Sequence, residues 1–154
     1  MAPVQTVPSA SVAADVARGV GRLLSDMGFA YLTELPLNNG RRVDLMAIAE
    51  NGHITVVEVK SSLADFRSDQ KWHEYLDYCD HFYFAVPTGF PTDVLPEDTG
   101  MIMADRYGAE ILRPAREAKV NGTRRRFLIL KFARAAANRH NRALDSVIDK
   151  DPVG

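Results

Sequence analysis

A single cysteine, Cys79, is present among the 154 residues of this sequence. One thiol excludes an intramolecular disulfide and any zinc site that is built on several thiolates. Because Cys79 has no partner motif, we expect it to be a small buried residue and not a nucleophile. The four histidines are also scattered without the i, i+4 spacing of a helical metal pair, so each is expected to be structural or exposed.

Several catalytic signatures are missing as well. The sequence has no glycine-rich phosphate loop, no Gly-x-Ser-x-Gly elbow, and no His-x-Glu with a Cys-x-x-Cys partner. These absences argue against nucleoside-triphosphate hydrolysis, serine esterase chemistry and zinc deamination. The N-terminus has no basic region followed by an apolar core, and no apolar run approaches the length of a membrane span. We therefore expect a cytoplasmic protein without a membrane partner.

The composition that is present, 46% hydrophobic and 25% charged residues, is typical of one globular domain. Residues 1–10 contain two prolines and no periodic pattern, so we expect a disordered lead-in. The domain is predicted to span residues 11–145, and residues 146–154 are predicted to form a flexible tail. No internal repeat stands out.

The net charge of −1 hides an uneven distribution of charge along the chain. Between Arg113 and Arg142 there are ten Lys or Arg residues and one acid, Glu117. A basic segment of this kind suits a surface that binds a polyanion. It equally suits a solvated helix face with a basic tail, and charge alone does not choose between the two.

Apolar periodicity predicts alternating helices and strands. Ser11 is expected to cap a helix that ends at Gly28. The further predicted elements are a strand from Phe29 to Leu37, two strands on either side of Glu50-Asn51-Gly52, a helix from about Ala64 to Tyr78, a strand from His81 to Val86, a hairpin of Met101–Ala104 with Ala109–Leu112, and a helix from Phe127 to Ile148 that follows an Asn121-Gly122 turn and the Arg124–Arg126 run. The strand–helix–strand order predicts that the last strand of this crossover runs parallel to the first, in a mixed sheet.

The central hairpin holds two carboxylates in apolar strand sequence. A three-residue turn ending at Gly52 pairs Ala49 with His53 and, counted outward, sets Asp44 opposite Glu58. Lys60 falls on the same predicted face. A two-residue Asn-Gly turn would instead separate the two acids onto opposite faces.

Directly opposed residues have Cβ atoms roughly 4.5–5.5 Å apart, and like charges at that distance destabilise the pair. Lys60, Arg42 or a divalent cation such as Mg²⁺ could lie between Asp44 and Glu58. With a cation, these residues could carry out metal-assisted phosphodiester hydrolysis. The alternative is that Glu58 and Lys60 decorate an edge strand while Asp44 pairs with Arg41 or Arg42. Glu34 is either a third acidic ligand or an ordinary edge charge.

These residues resemble the catalytic core of the PD-(D/E)XK nuclease superfamily. Asp44 is followed by Glu58-Val59-Lys60 after an apolar strand, and then by helical sequence near Asp69-Gln70-Lys71. The run from Arg42 to Val86, with its extended Asp65-Phe66, Asp69, Lys71-Trp72, Tyr75 and Cys79-Asp80 pattern, is similar to the MmcB family of bacterial DNA repair proteins, a branch of that superfamily. Val43 stands before the first acid, where the superfamily signature has proline.

The resemblance implies a fold, a reaction and a set of site residues. The fold would be an α/β restriction-endonuclease-like core, αβββαβ, with a central mixed sheet flanked by helices. The protein would be a DNA repair nuclease that uses Mg²⁺ or Mn²⁺. Asp44, Glu58 and the Val59 carbonyl would be metal ligands, with Glu34 a looser match. Lys60 would be the catalytic lysine, with Gln70 or Lys71 near the phosphate.

The expected partner is DNA, and RNA is not excluded. The predicted contacts to the nucleic-acid backbone are Arg124, Arg125, Arg126, Lys131 and Arg134, whose binding would weaken with salt and show little base preference. Pairing of two copies to cut both strands stays open. The alternative function is a non-catalytic DNA-binding or partner-binding module on the same fold.

Overall fold

The computed structural model of the protein describes residues 9–150. In chain order, these residues form α1 Ser9–Asp26, β1 Ala30–Pro36, β2 Arg42–Ile48, β3 Ile54–Val59, α2 Leu63–Ser68, a 3₁₀ helix Lys71–Tyr78, β4 His81–Val86, a 3₁₀ turn Thr92–Val94, β5 Gly100–Asp105, β6 Gly108–Arg113 and α3 Gly122–Ile148.

The strands form one six-stranded mixed sheet in the order β1 to β6, so that each strand lies beside its neighbours in the sequence. β3 pairs with β4 in parallel, as does β4 with β5, and the remaining pairs are antiparallel. The parallel pairing of β3 with β4 confirms the predicted crossover. An α/β fold with a central mixed sheet and flanking helices is therefore confirmed.

Helices cover both faces of the sheet. On one face, α1 buries Val16, Val20 and Leu24 against β-strand residues of the same cluster. On the other face, the 3₁₀ helix and α3 pack Trp72 and Leu128 into a second apolar cluster. The two clusters together form the core, because each strand sends alternate side chains to opposite faces.

The predicted continuous helix from Ala64 to Tyr78 is wrong. α2 ends at Ser68, and Asp69 adopts extended backbone angles (φ −129°, ψ 102°) before the 3₁₀ helix begins. The Asp69 side chain accepts a hydrogen bond from the Lys71 backbone N–H at 3.1 Å. Aspartate readily makes local bonds of this kind in place of the helical ones, which explains the break.

The terminal helices are longer than expected. α1 begins at Ser9, before the predicted cap at Ser11, and α3 begins at Gly122, before the predicted start at Phe127, and ends at Ile148 as predicted. The predicted Asn121-Gly122 turn is in fact the start of α3, since Asn121 caps the N–H groups of Thr123 and Arg124. Residues 1–8 and 151–154 of the predicted terminal segments lie outside the described residues. Within residues 9–150, no helix is long and apolar enough to cross a membrane.

Candidate metal centre

The hairpin between β2 and β3 has the predicted three-residue turn. The Ala49 N–H donates to the His53 carbonyl at 2.9 Å, and Gly52 has the left-handed φ of 88° that the turn requires. Ile48 pairs with Ile54, and the register continues to the pair of Leu45 with Val57. The next opposed residues are Asp44 and Glu58, so the alternative two-residue turn is wrong.

Each of these two carboxylates binds the backbone of the opposite strand. Oε1 of Glu58 accepts the Asp44 N–H at 3.1 Å, and Oδ2 of Asp44 accepts the Val59 N–H at 2.8 Å. These two side-chain bonds thus replace the last pair of backbone hydrogen bonds between β2 and β3. The two carboxyl groups are held together by backbone donors on rigid strands, which fixes their relative position.

Strict alternation of faces does not hold through Asp44. Met46 and Val43 belong to the same apolar cluster although they are three residues apart, and Leu45 lies in the other cluster. The pairing of β1 with β2 also skips Asp44 and the residue opposite to it, Glu34. The alternation from which a common face of Met46, Asp44, Glu58 and Lys60 was counted therefore breaks down at Asp44, because the strand is irregular at this residue.

Asp44 borders a groove that lies between α1 and the ends of the first three strands. The groove has a volume of about 590 Å³ and is lined by Ala10, Ala13, Ala14, Ala17, Arg18, Tyr31, Thr33, Glu34, Asp44 and Val59. Asp44 is therefore accessible from the α1 side of the sheet. Glu58 is only 4% exposed.

Lys60 is the buried cation of the site. Its side chain is 5% exposed, and Nζ lies 3.3 Å from Oδ2 of Asp69. The charge of Lys60 also lowers the pKa of both Asp44 and Glu58, although burial outweighs it at each of them. At Asp69, burial opposes ionisation, but the Lys71 N–H and Lys60 together hold the pKa below its usual value. The partner role of Asp69 was not predicted.

The two carboxyl groups are poorly compensated by the protein itself. Burial, followed by the charge of Asp44, raises the pKa of Glu58 to about 9. Burial likewise raises the pKa of Asp44. The nearby Tyr75 hydroxyl has its pKa raised to about 12 by burial and then by the same two acids. Two neighbouring carboxylates that are both buried require a proton or a cation to compensate their charge.

Glu34 does not join this pair. Its side chain is 67% exposed, and Oε1 lies 3.8 Å from Nη2 of Arg42. Glu34 also has a left-handed φ of 51°, and Arg139 donates to the carbonyls of Thr33 and Glu34 at 2.6 and 3.1 Å. Within residues 9–150, no group of three or more His, Cys, Asp or Glu side chains converges on one point. A site here must use two carboxylates.

The donor set fits a hard divalent cation. Mg²⁺ commonly binds one or two carboxylates and fills its other positions with water and substrate phosphate. Asp44 and Glu58 supply two carboxylates, and the groove next to Asp44 leaves room for such ligands. The lone cysteine does not offer a thiolate ligand for a softer metal. Cys79 is buried, with 2% of its surface exposed, and burial raises the pKa of its thiol to about 12.

The two other predicted catalytic residues lie at the break between α2 and the 3₁₀ helix. Gln70 donates from Nε2 to the Phe66 carbonyl at 2.6 Å, so its amide caps the end of α2. Lys71 is exposed, and its backbone N–H binds Asp69. The structure therefore brings Lys60 to the carboxylates, whereas Gln70 is engaged locally.

The predicted nucleic-acid contacts have different environments. Arg125 is an internal residue: it makes two hydrogen bonds of 2.6 Å to Asp80, whose side chain is 1% exposed. Arg124 lies over the Tyr78 ring, 4.8 Å from the centroid. Lys131 donates to Asn38 at 3.3 Å, and Arg126 and Arg134 are exposed. Only part of this basic run is therefore available to a ligand.

The beginning of α3 lies far from the carboxylates. Nη1 of Arg125 donates to the Gly52 carbonyl at 2.9 Å, which places this end of α3 at the hairpin turn. Gly52, in the turn, and Glu58, near the end of β3, are six residues apart, or about 20 Å of extended chain. The Arg124–Arg126 run is thus at the other end of the hairpin from the candidate metal centre.

Comparison with known proteins gives a family and a structural relative. The model of the DNA repair protein MmcB-like family matches residues 2–147. The structure of a protein of unknown function from Silicibacter pomeroyi is 43% identical, covers 92% of this chain and 94% of its own, and superposes with a TM-score of 0.83.

A repair endonuclease from Pyrococcus abyssi is more remote. It is 20% identical over 68% of this chain and 49% of its own, with a TM-score of 0.39. No protein with a curated functional description matches the sequence.

Proposed function

Because this chain belongs to the DNA repair protein MmcB-like family, we propose that it is a metal-dependent nuclease that hydrolyses DNA phosphodiester bonds. Its fold would be the αβββαβ core of the PD-(D/E)XK superfamily. The observation that supports the proposal most is the meeting of Asp44 and Glu58 at the end of one hairpin, with buried Lys60 two residues further along.

Asp44, Glu58 and the Val59 carbonyl would hold the ion, Mg²⁺ or Mn²⁺. When bound, the ion would polarise the scissile phosphate and lower the pKa of a water ligand. The protein contributes rigidity, because the backbone N–H groups of Asp44 and Val59 already orient the two carboxylates. Glu34 has no part in this ligand set, since its exposed side chain lies beside Arg42.

Lys60 would stabilise the charge that develops on the phosphate, or orient the attacking water. Its amine is buried, and Asp69 holds it at 3.3 Å, so Lys60 pays little additional ordering cost when substrate binds. Asp69 is a positioning residue in this proposal. Loss of Asp69 is expected to weaken catalysis less than loss of Lys60.

Binding to the DNA backbone would use two basic side chains of α3, the exposed Arg126 and the half-buried Lys131. Contacts of this kind recognise phosphate and not base edges, so the affinity should fall steeply with salt and depend little on sequence. Arg125 is excluded from this surface because its guanidinium is committed to Asp80.

A cleavage assay tests the proposal directly. Single-stranded, duplex, flap and branched DNA are incubated with the protein in Mg²⁺ or Mn²⁺, with an RNA strand included. We expect metal-dependent cleavage that falls by at least about 100-fold in Asp44→Asn, Glu58→Gln and Lys60→Met. Glu50→Gln is the matched control, because Glu50 is an exposed acid in the turn of the same hairpin. Cleavage by the three site variants at the wild-type rate would refute the assignment.

Calorimetry with Mn²⁺ separates the roles of the same residues. The heat of binding should be lost in Asp44→Asn and Glu58→Gln but retained in Lys60→Met, because Lys60 is not a ligand. Intact DNA binding without any metal heat in the wild type would instead support the non-catalytic binding module. Circular dichroism of each variant establishes that it is folded.

A further inference from the structure

An exposed apolar seam runs along α3. Its large members are Phe127, Leu130, Leu144 and Ile148, whose exposed fractions are 47, 58, 49 and 68%. Together with the residues between them they alternate in steps of three and four: Phe127, Leu130, Arg134, Ala137, Asn141, Leu144 and Ile148. This is the a/d spacing by which one helix packs along another.

The seam points away from the body of the protein. The opposite side of α3 carries the residues that pack onto the sheet, where Leu128 is 1% exposed and Phe132 and Ala135 join the same apolar cluster. Arg125 and Arg139 bind Asp80 and the β1 backbone from that side as well. All seven residues of the seam are exposed.

The last third of α3 has little support from its own chain. Residues 140–150 are all exposed, whereas the first two thirds of the helix, from Gly122 to Arg139, contain the buried and half-buried contacts. A helical segment of this length is only marginally stable in water without a packing partner. The end of α3 extends beyond the domain and carries Leu144 and Ile148 on one side. This arrangement indicates that another surface packs against the end of the helix.

We propose that this surface is α3 of a second copy of the chain, packed antiparallel along the seam. In this arrangement Phe127 lies opposite the partner's Leu144, and Leu130 lies opposite the partner's Asn141. The exposed last third of each helix then packs on the first third of the other. Such a two-fold interface is self-complementary, because every contact occurs twice.

Charge selects the antiparallel orientation. In the register just described, Arg124 lies beside the partner's Asp145 on the flank of the seam, and the pair forms twice. In a parallel pairing, the Arg124–Arg126 run of one copy would lie against the same run of the other, which is repulsive. Arg124 now donates from Nη1 to the Asp77 carbonyl at 3.2 Å, and its other guanidinium N–H groups can bind an acid.

The centre of the seam limits the strength of the pairing. Arg134, Ala137 and Asn141 offer little apolar area, and polar residues at such positions favour one register at a cost in stability. The paired length from Phe127 to Ile148 is about 33 Å. We therefore expect a dimer that dissociates on dilution.

Sedimentation of the full chain over a range of concentrations tests the dimer. The wild type should shift from one-chain to two-chain mass with concentration, and Leu130→Glu and Leu144→Glu should stay at one-chain mass. Leu112→Glu is the matched control, because Leu112 is an exposed leucine on β6, outside the seam. A wild type with one-chain mass throughout, or a control variant as defective as Leu144→Glu, would overturn the proposal.

Charge reversal tests the register. Arg124→Glu and Asp145→Arg alone should each raise the dissociation constant about tenfold, and the double variant should recover most of the loss. Equal losses that add in the double variant contradict the Arg124–Asp145 pairing. Because both side chains are exposed, the fold is expected to survive each change.

Cysteine cross-linking tests the orientation. Phe127→Cys mixed with Leu144→Cys should form a disulfide between chains. Leu144→Cys alone should not, because the two copies of residue 144 would be about 25 Å apart in the antiparallel register. Efficient cross-linking of Leu144→Cys with itself would refute the antiparallel arrangement. The native Cys79 is buried and does not interfere.

Discussion

Asp80 is the residue whose loss we expect to cost the most stability outside the apolar core. Its carboxylate is 1% exposed and accepts two hydrogen bonds of 2.6 Å from Arg125. It also accepts the backbone N–H groups of Ile54 at 2.7 Å and of Val120 at 3.0 Å. One carboxylate thus joins β3, the segment before α3, and α3 itself.

Asp80→Asn keeps the shape of the side chain but removes its charge and one acceptor oxygen. The amide NH₂ would then face N–H donors, and Arg125 would lose its counter-charge. Removal of one partner of a buried ion pair typically costs about 3–5 kcal/mol. Since the Arg125 side chain is 20% exposed and can be partly rehydrated, we expect a loss at the lower end of this range, about 3 kcal/mol.

The cost should depend on pH in a defined direction. Burial alone would raise the pKa of Asp80, but the bonds from Arg125 and from the two backbone N–H groups hold it well below the ordinary 3.8. The stabilisation is complete above the unfolded-state pKa and is lost as the pH falls below it. The difference between wild type and Asp80→Asn should therefore be about 1 kcal/mol smaller at pH 3 than at pH 7.

Urea denaturation at the two pH values measures both effects. At pH 7 a loss of about 3 kcal/mol moves the midpoint by about 1–2 M. Asp77→Asn is the matched control, because Asp77 is an exposed aspartate near the end of the 3₁₀ helix that precedes Asp80. It should change the free energy of unfolding by less than about 0.5 kcal/mol. A loss below 1 kcal/mol for Asp80→Asn, or a loss that grows as the pH falls, would refute the reasoning.

Three further predictions concern single positions. Gly19→Ala should lower stability by about 1–3 kcal/mol in thermal unfolding, because a Cβ at this position would lie 1.9 Å from the Asp105 carbonyl oxygen. The control Gly122→Ala should not destabilise the protein, because its Cβ would meet no atom within 4 Å. Glu34→Gly should raise the free energy of unfolding by about 1 kcal/mol in urea, since it relieves a left-handed backbone, and a loss would contradict this. Cys79 should react with a thiol reagent at pH 8 only after the protein is unfolded, because burial raises its pKa to about 12.

The elements that sequence predicted well are those set by local rules. The Glu50-Asn51-Gly52 turn fixes the hairpin register, because one glycine at positive φ selects the turn and the turn then sets the pair opposite each residue. The meeting of Asp44 and Glu58 follows from that count alone. The parallel strand after the crossover follows from the same kind of rule, since handedness leaves few topologies.

Periodicity failed where side chains compete with the backbone. Asp69 interrupts the expected helix because its carboxylate binds the Lys71 N–H, and the same break brings Asp69 to Lys60. Glu34 and Asp44 interrupt the regular pairing of β1 with β2. An amphipathic pattern carries no information about either event, because each depends on the geometry of one polar group.

The basic C-terminal segment shows why charge counts alone mislead. Arg125 is one of three consecutive arginines, yet it is the internal partner of Asp80, 45 residues away in sequence. Arg139 is likewise bonded within the protein, to the β1 backbone, although its side chain is only half-buried. The sequence did contain a signal for the Arg125–Asp80 pair, since Asp80 is the last residue of the extended family pattern. However, no spacing rule relates an acid before one strand to an arginine on a distant helix. The part of the segment that stays on the surface is a helix with basic residues and an apolar seam. A protein partner explains this apolar area better than DNA does, because contacts to phosphate require charged side chains and not Phe127 or Leu144.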